Sequence, residues 1–295
     1  MVIDEQFSNL LKPKRRNAFT IVELLVACAL VMLFCGLVLP AISGSREAAR
    51  RIACTHQMQQ IGLALHEHDE VYASLPAGWI VESTGTSAFG WFVRLLPFCE
   101  QASLASRIDV ARPLAHRDNA EACRASLAMA ICPSDVAEPL FALYQETGDH
   151  ERGSQQSEIV LMALASSNYI GVFGTRDPDD VSGPTGDGAF LESRSIRFAE
   201  LERGLSATML IGERTARKLP SAWIGFAIDG EDGRSRVVGF AGMGPNRDDA
   251  DESEFSSRHP GCANFLWADG HVASVSDSID RQLYKRFAAR SMTAN

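Results

Sequence analysis

The sequence predicts an α+β fold: a long N-terminal helix, transmembrane in its first half, packs as a spine on a β-rich C-terminal globular head. Three observations carry this. Residues 24 to 42 are nineteen consecutive positions without a charge, about the length needed to cross the ~30 Å hydrocarbon layer as a helix. Residues 45 to 72 then contain no proline and one glycine, with Cys54, Met58, Ile61, Leu65 and Tyr72 recurring at helical spacings; such a stripe marks one buried helical face. After Leu75-Pro76-Ala77-Gly78 the pattern changes to short apolar runs broken by Gly, Pro, Asn and Asp, as strands and turns require.

One continuous helix over residues 19 to 72 would be roughly 80 Å long at 1.5 Å per residue, and Pro40 would bend it. Lys12, Lys14, Arg15 and Arg16 precede the apolar run and place that end in the cytoplasm by the positive-inside rule. Arg46, Arg50 and Arg51 flank the other side, so charge alone does not set the orientation. Glu23 sits at the mouth of the run with no Lys or Arg in the following turns. A carboxylate there either reaches headgroup water or is neutralised by a group outside the chain.

The basic leader, then Ala18, then Phe19-Thr20-Ile21-Val22-Glu23-Leu24-Leu25 resembles the class III signal of type IV prepilins and type II secretion pseudopilins. The resemblance implies cleavage between Ala18 and Phe19 by a prepilin peptidase that also methylates the new N-terminal Phe19, with Glu23 and Pro40 at the family's acid and proline positions. Ala18 departs from the family's usual Gly before the cut. The freed amine of one subunit would pair with Glu23 of a neighbour, turning an unpaired acid into an assembly signal. The rival reading is an ordinary secretory signal with Ala41-Ile42-Ser43 as its cleavage site; the run is long for an h-region, and Glu23 would be out of place in one.

The chain has 295 residues and a net charge of −9, which argues against nucleic-acid binding through a basic surface. Of its seven cysteines, Cys28 and Cys35 fall in the apolar run. Cys54, Cys99, Cys123, Cys132 and Cys262 fall where an exported head would permit disulfides, and their odd number leaves at least one unpaired or pairs chains. No pair shows zinc-ligand spacing, so a thiolate metal site is not expected.

Within the head, residues 90 to 98 form an apolar block, and 131 to 135 (ICPSD) a turn. Residues 145–158 and 175–188 are polar loops, 196–201 a short helix stopped by Gly204, and 208–211 and 224–228 strands. Asp269-Gly270 between two apolar-rich runs is a two-residue hairpin signal. His259, nine residues, then Asp269-Gly270 resembles the C-terminal signature of a bacterial family of prepilin-processing-associated proteins of unknown function. The motifs SREAARR (45–51), QIGLALH (60–66), LPAG (75–78), LPFCEQ (96–101), CPSD (132–135), SNYIG (167–171) and IGE (211–213) extend that resemblance along most of the chain.

Three candidate sites follow. His259, Asp269 and His271 have the chemistry of a hydrolytic or metal site, although the turn accounts for Asp269 and a hairpin-entry role for His259. Asp177, Asp179, Asp180 and Asp187 could ligate calcium, as the broader pseudopilin resemblance suggests, but lack EF-hand spacing, and residues 229–233 compete; a solvated acidic loop is the default. Cys54 and Cys132 both fall at positions that the family resemblance marks, and a disulfide between them would staple head to spine; two free thiols, or Cys123 with Cys132, are the alternatives.

The expected organisation is a leader (1–18), a transmembrane and spine helix (19–72) and an exported head (73–295) carrying the hairpin signature (257–277). The expected function is that of a pseudopilin-like structural subunit, not an enzyme and without a cofactor. It would be anchored once in the inner membrane with its N-terminus cytoplasmic and its head periplasmic or extracellular. Its partners would be the prepilin peptidase/methyltransferase and other pilin-like subunits. The alternative is a membrane-tethered binding module that uses the helix only as an anchor.

Overall fold

The protein is described here by a computed structural model covering residues 20–136, 138–146, 159–181 and 184–292, without the side chains at 37, 39–41 and 43. Ala18 and Phe19, the leader and the Pro40 side chain therefore lie outside the described residues. The fold is α+β, and the chain divides into two compact units between Ala48 and Ala49.

Helix α1 runs over Ile21–Tyr72. Its start is a capping box: Thr20 donates from N and Oγ1 to Glu23 Oε2 at 2.8 and 2.9 Å, and Glu23 N donates back to Thr20 Oγ1. Glu23 thus has a partner within its own first turn, and the Thr20 hydrogen bonds hold its carboxyl below the usual range.

The transmembrane expectation is overturned, since among the described residues no helix is long and apolar enough to cross a membrane. The single-pass inner-membrane placement, cytoplasmic N-terminus included, loses its basis with it.

In the second unit α1 turns the expected stripe inward: Cys54, Met58, Ile61 and Leu65 are buried, joined by Ala64. Tyr72 departs from the stripe and is exposed, whereas His68 is buried and its Nδ1 lies 2.8 Å from Ser74 O. Ala73, at φ +55°, ends the helix in the left-handed conformation that C-terminal caps adopt.

Eleven strands follow among the described residues: β1 (Trp79–Val81), β2 (Ser87–Gly90), β3 (Leu140–Tyr144), β4 (Val160–Ser167), β5 (Tyr169–Gly174), β6 (Met209–Glu213), β7 (Ser221–Ala222), β8 (Gly225–Ala227), β9 (Val238–Phe240), β10 (Cys262–Trp267) and β11 (Val272–Ser276). The largest sheet has the order β11-β10-β6-β5-β9, and two three-stranded sheets have the orders β1-β2-β8 and β3-β4-β7. Alternation along β10 splits two cores, as the period-two pleat dictates. Leu266 joins the larger core with the α1 stripe, while Ala263, Phe265 and Trp267 join a second core with Tyr284 and Ala288 of the C-terminal helix Arg281–Ala288.

The β10–β11 turn is a three-residue one in place of the expected two. Gly270 N donates to Trp267 O, Trp267 N donates to His271 O, and Gly270 takes φ +88°, the arrangement of a type I turn closed by a glycine bulge. This hairpin lies against α1. A Cβ on Gly62 would stand 2.8 Å from Leu266 Cδ1, and Arg51 Nη2 donates to Ser274 Oγ at 2.6 Å.

Candidate functional site

Four segments distant in sequence meet where β6 ends. Glu213 is the last residue of β6, Asn264 lies on the neighbouring β10, His259 precedes β10, and Cys132 opens the turn at 132–135. Cys54 reaches the same point from α1, and the structure joins Cys54 to Cys132 in a disulfide across 78 residues, with Cα atoms 5.4 Å apart. All four side chains Cys54, Cys132, Glu213 and His259 are buried.

His259 Nε2 lies 3.6 Å from Cys132 Sγ and 3.5 Å from Glu213 Oε1. A disulfide sulfur and a carboxylate only accept, so these neighbours assign the proton to Nε2. Glu213 takes further hydrogen bonds from Asn264, N to Oε2 at 2.9 Å and Nδ2 to Oε1 at 3.0 Å. Ser274 Oγ donates to Asn264 Oδ1 at 2.7 Å, and Arg51 donates to Ser274. A continuous polar chain therefore runs from Arg51 on α1 through the hairpin to the disulfide, satisfying charges that would otherwise be costly to bury.

The turn at Cys132 is fixed by one side chain. Asn168 Oδ1 accepts from Cys132 N at 2.9 Å, while its Nδ2 donates to Asp135 Oδ2 and Arg214 O. Asp135 in turn accepts from Thr215 Oγ1 and Ala216 N. Next to it, buried Tyr169 donates from its hydroxyl to Gln57 Oε1. Burial, with the negative Glu213 nearby, pushes that phenol well above its usual range. Arg214 is buried among Ser221 Oγ, Ser253 O and Ser235 O, and burial pulls its guanidinium down to about 9.

The candidate residues His259, Asp269 and His271 fall in two different surroundings. His271 Nδ1 pairs with Asp269 Oδ1 at 2.5 Å at the exposed hairpin turn, stacked on Trp267, whereas His259 is buried with Glu213. Of the calcium candidates, Asp177, Asp179 and Asp180 share an acidic cleft with Asp232, Asp251 and Glu146. Asp187 is engaged at Thr175, accepting from its N and Oγ1. Burial and neighbouring acids raise Asp177 to about 7 and Asp232 to about 6. The sequence assigns no role to Glu213, Asn168 and Asn264, although IGE, SNYIG and the run after His259, which hold them, all lie within the resemblance.

A family model described as "Protein of unknown function (DUF1559)" matches residues 44–282, a range that contains every residue of this buried junction. The chain belongs to the DUF1559 family. This family of unknown function is often associated with prepilin-like proteins. The match begins past the apolar first turns of α1. No curated protein and no solved structure matches the chain.

Proposed function

We propose that this DUF1559 chain is a pilin-like structural subunit that assembles laterally, with other pilin-like subunits, through the first turns of α1. The observation that carries the reading is the exposure of that segment. Ile21 (78 %), Met32 (71 %), Leu25 (64 %) and Phe34 (64 %) are all exposed, and the described positions between them are apolar apart from Glu23. A helix apolar on all sides is stable only when surrounded, and a bundle of equivalent helices surrounds it. The exposed Glu23 carboxylate, already capped by Thr20, accepts the freed amine of a neighbour after a prepilin peptidase cuts between Ala18 and Phe19 and methylates Phe19. The head, closed by a disulfide of the kind that persists in oxidising compartments, is the part each subunit displays.

Cys28 and Cys35 are exposed and seven residues apart on α1, so they share a face and report on neighbours. A bifunctional maleimide should give a ladder of crosslinked chains, absent in the Cys28→Ser/Cys35→Ser variant and weakened by Glu23→Gln. Monomers alone at concentrations where the head is folded would end the structural-subunit reading.

The second reading, an extracytoplasmic binding module, is favoured by a groove beside Asp135 that combines Val136, Leu140 and Phe141 with Arg217 and Arg258. It expects monomers.

A further inference from the structure

We propose that Cys54, Cys132, Glu213 and His259 form a four-coordinate zinc(II) site when the Cys54–Cys132 disulfide is reduced. One donor atom from each residue, Sγ, Sγ, a carboxylate oxygen and a ring nitrogen, lies within 4.8 Å of all the others. Ligands at ~2.0–2.3 Å from a tetrahedral zinc stand about 3.3–3.8 Å apart. The His259 Nε2 distances to Glu213 Oε1 and Cys132 Sγ, 3.5 and 3.6 Å, already match. Two thiolates, an imidazole and a carboxylate are a donor set for a borderline-soft, tetrahedral cation and unsuited to calcium or magnesium.

Two features of the junction go beyond what a structural disulfide requires. A disulfide is neutral and needs no charged neighbour, yet a carboxylate and an imidazole, the donor types that complete a zinc site begun by two thiolates, are both buried against it. The carboxylate is also oriented from behind: Asn264 donates to both its oxygens and is itself held by Ser274, to which Arg51 donates, the outer-shell support that metal ligands receive.

The conversion balances with a dithiol as reductant. Its two electrons break the Cys54–Cys132 bond, its two protons pass to the cysteine sulfurs, and it leaves as a cyclic disulfide. Zinc(II) then displaces both thiol protons to solvent and binds the thiolates without changing oxidation state. The neutral His259 ring shifts its proton from Nε2 to Nδ1, freeing the nitrogen that faces the cysteines. The reverse exchange, in which a small-molecule disulfide takes the two electrons, picks up two protons and leaves as its dithiol, re-forms the Cys54–Cys132 bond and releases zinc(II) to solvent, so each redox state ties α1 to the 132–135 turn in its own way.

The test uses the full chain, reduced with a phosphine that leaves as its oxide, then desalted without oxygen and titrated with cobalt(II) as a spectroscopic stand-in for zinc. One cobalt per chain is expected, with the intense d–d bands of tetrahedral coordination and thiolate-to-cobalt charge transfer, displaced by zinc; the disulfide form takes up none. Cys54→Ser/Cys132→Ser should abolish binding, and His259→Ala and Glu213→Gln should weaken it at least tenfold, while Cys99→Ser and Cys262→Ser leave it unchanged. If the reduced chain or a variant is unfolded, circular dichroism decides: zinc must restore the wild-type fold and fail to restore that of the double cysteine variant. A reduced chain that neither binds cobalt tetrahedrally nor gains structure with zinc overturns the proposal. So does a site that follows Cys99 or Cys262.

Discussion

Replacing both Cys54 and Cys132 by alanine removes the bond between α1 and the 132–135 turn, and the cost follows from the loop it closes. The two cysteines are 78 residues apart, and the chain-entropy relation gives about 4.5 kcal/mol at 25 °C for a loop of that length. Both sulfurs are buried, so alanine adds a small packing loss of the same sign. Against the 5–15 kcal/mol that a domain typically has, this is a large fraction, and the melting temperature should fall by roughly 10–18 °C. Urea unfolding followed by tryptophan fluorescence suits the assay, since Trp79, Trp91 and Trp223 are all buried in the larger core. A loss below about 1 kcal/mol would refute the reasoning, because the loop would then be closed as tightly by other contacts.

Three further outcomes test other parts of the account. Asp177 is raised to about 7 by burial and neighbouring acids; the stability it contributes is complete below the ordinary carboxylate range and is lost as pH rises through about 7. Asp177→Asn should therefore leave stability unchanged near pH 4 and raise it at pH 8 by about 1 kcal/mol once solvent screening is allowed for, as paired melting curves would show. Asn264→Ala removes the Nδ2 donor to buried Glu213 and should cost about 1–3 kcal/mol in urea unfolding. Gly78→Ala would place a Cβ 2.7 Å from the Phe190 carbonyl carbon, a clash with backbone that should cost about 1–3 kcal/mol; an unchanged midpoint would show that the Gly78–Phe190 approach is loose.

What was legible in the sequence was local. The stripe through Cys54, Met58, Ile61 and Leu65 faces the core because helical periodicity is written in adjacent turns, and the Asp269-Gly270 turn sits where its residues demand. The apolar runs at 208–211 and 224–228 mark the strands found at 209–213 and 225–227. What was illegible is tertiary. Cys54, Cys132, Glu213 and His259 come from four segments with no ligand spacing between them, and only the fold brings their donor atoms together. The burial of His259 beside Glu213, while Asp269 stays at the exposed turn, is likewise set by tertiary packing. The capping of Glu23 by the amide and hydroxyl of Thr20, three residues upstream, is written in the Thr-x-x-Glu spacing. The transmembrane reading counted uncharged residues from 24 to 42, and the described structure contains no helix long and apolar enough for a span.

Sedimentation velocity of the full chain over a concentration series, beside the Leu25→Arg/Met32→Arg variant, reaches the central claim most directly. The account predicts multi-chain particles that grow with concentration for the native sequence and a folded monomer for the variant, because both substituted positions lie in the exposed apolar segment and outside the buried junction. A native chain that sediments as a monomer throughout, or a variant that assembles equally well, would contradict it.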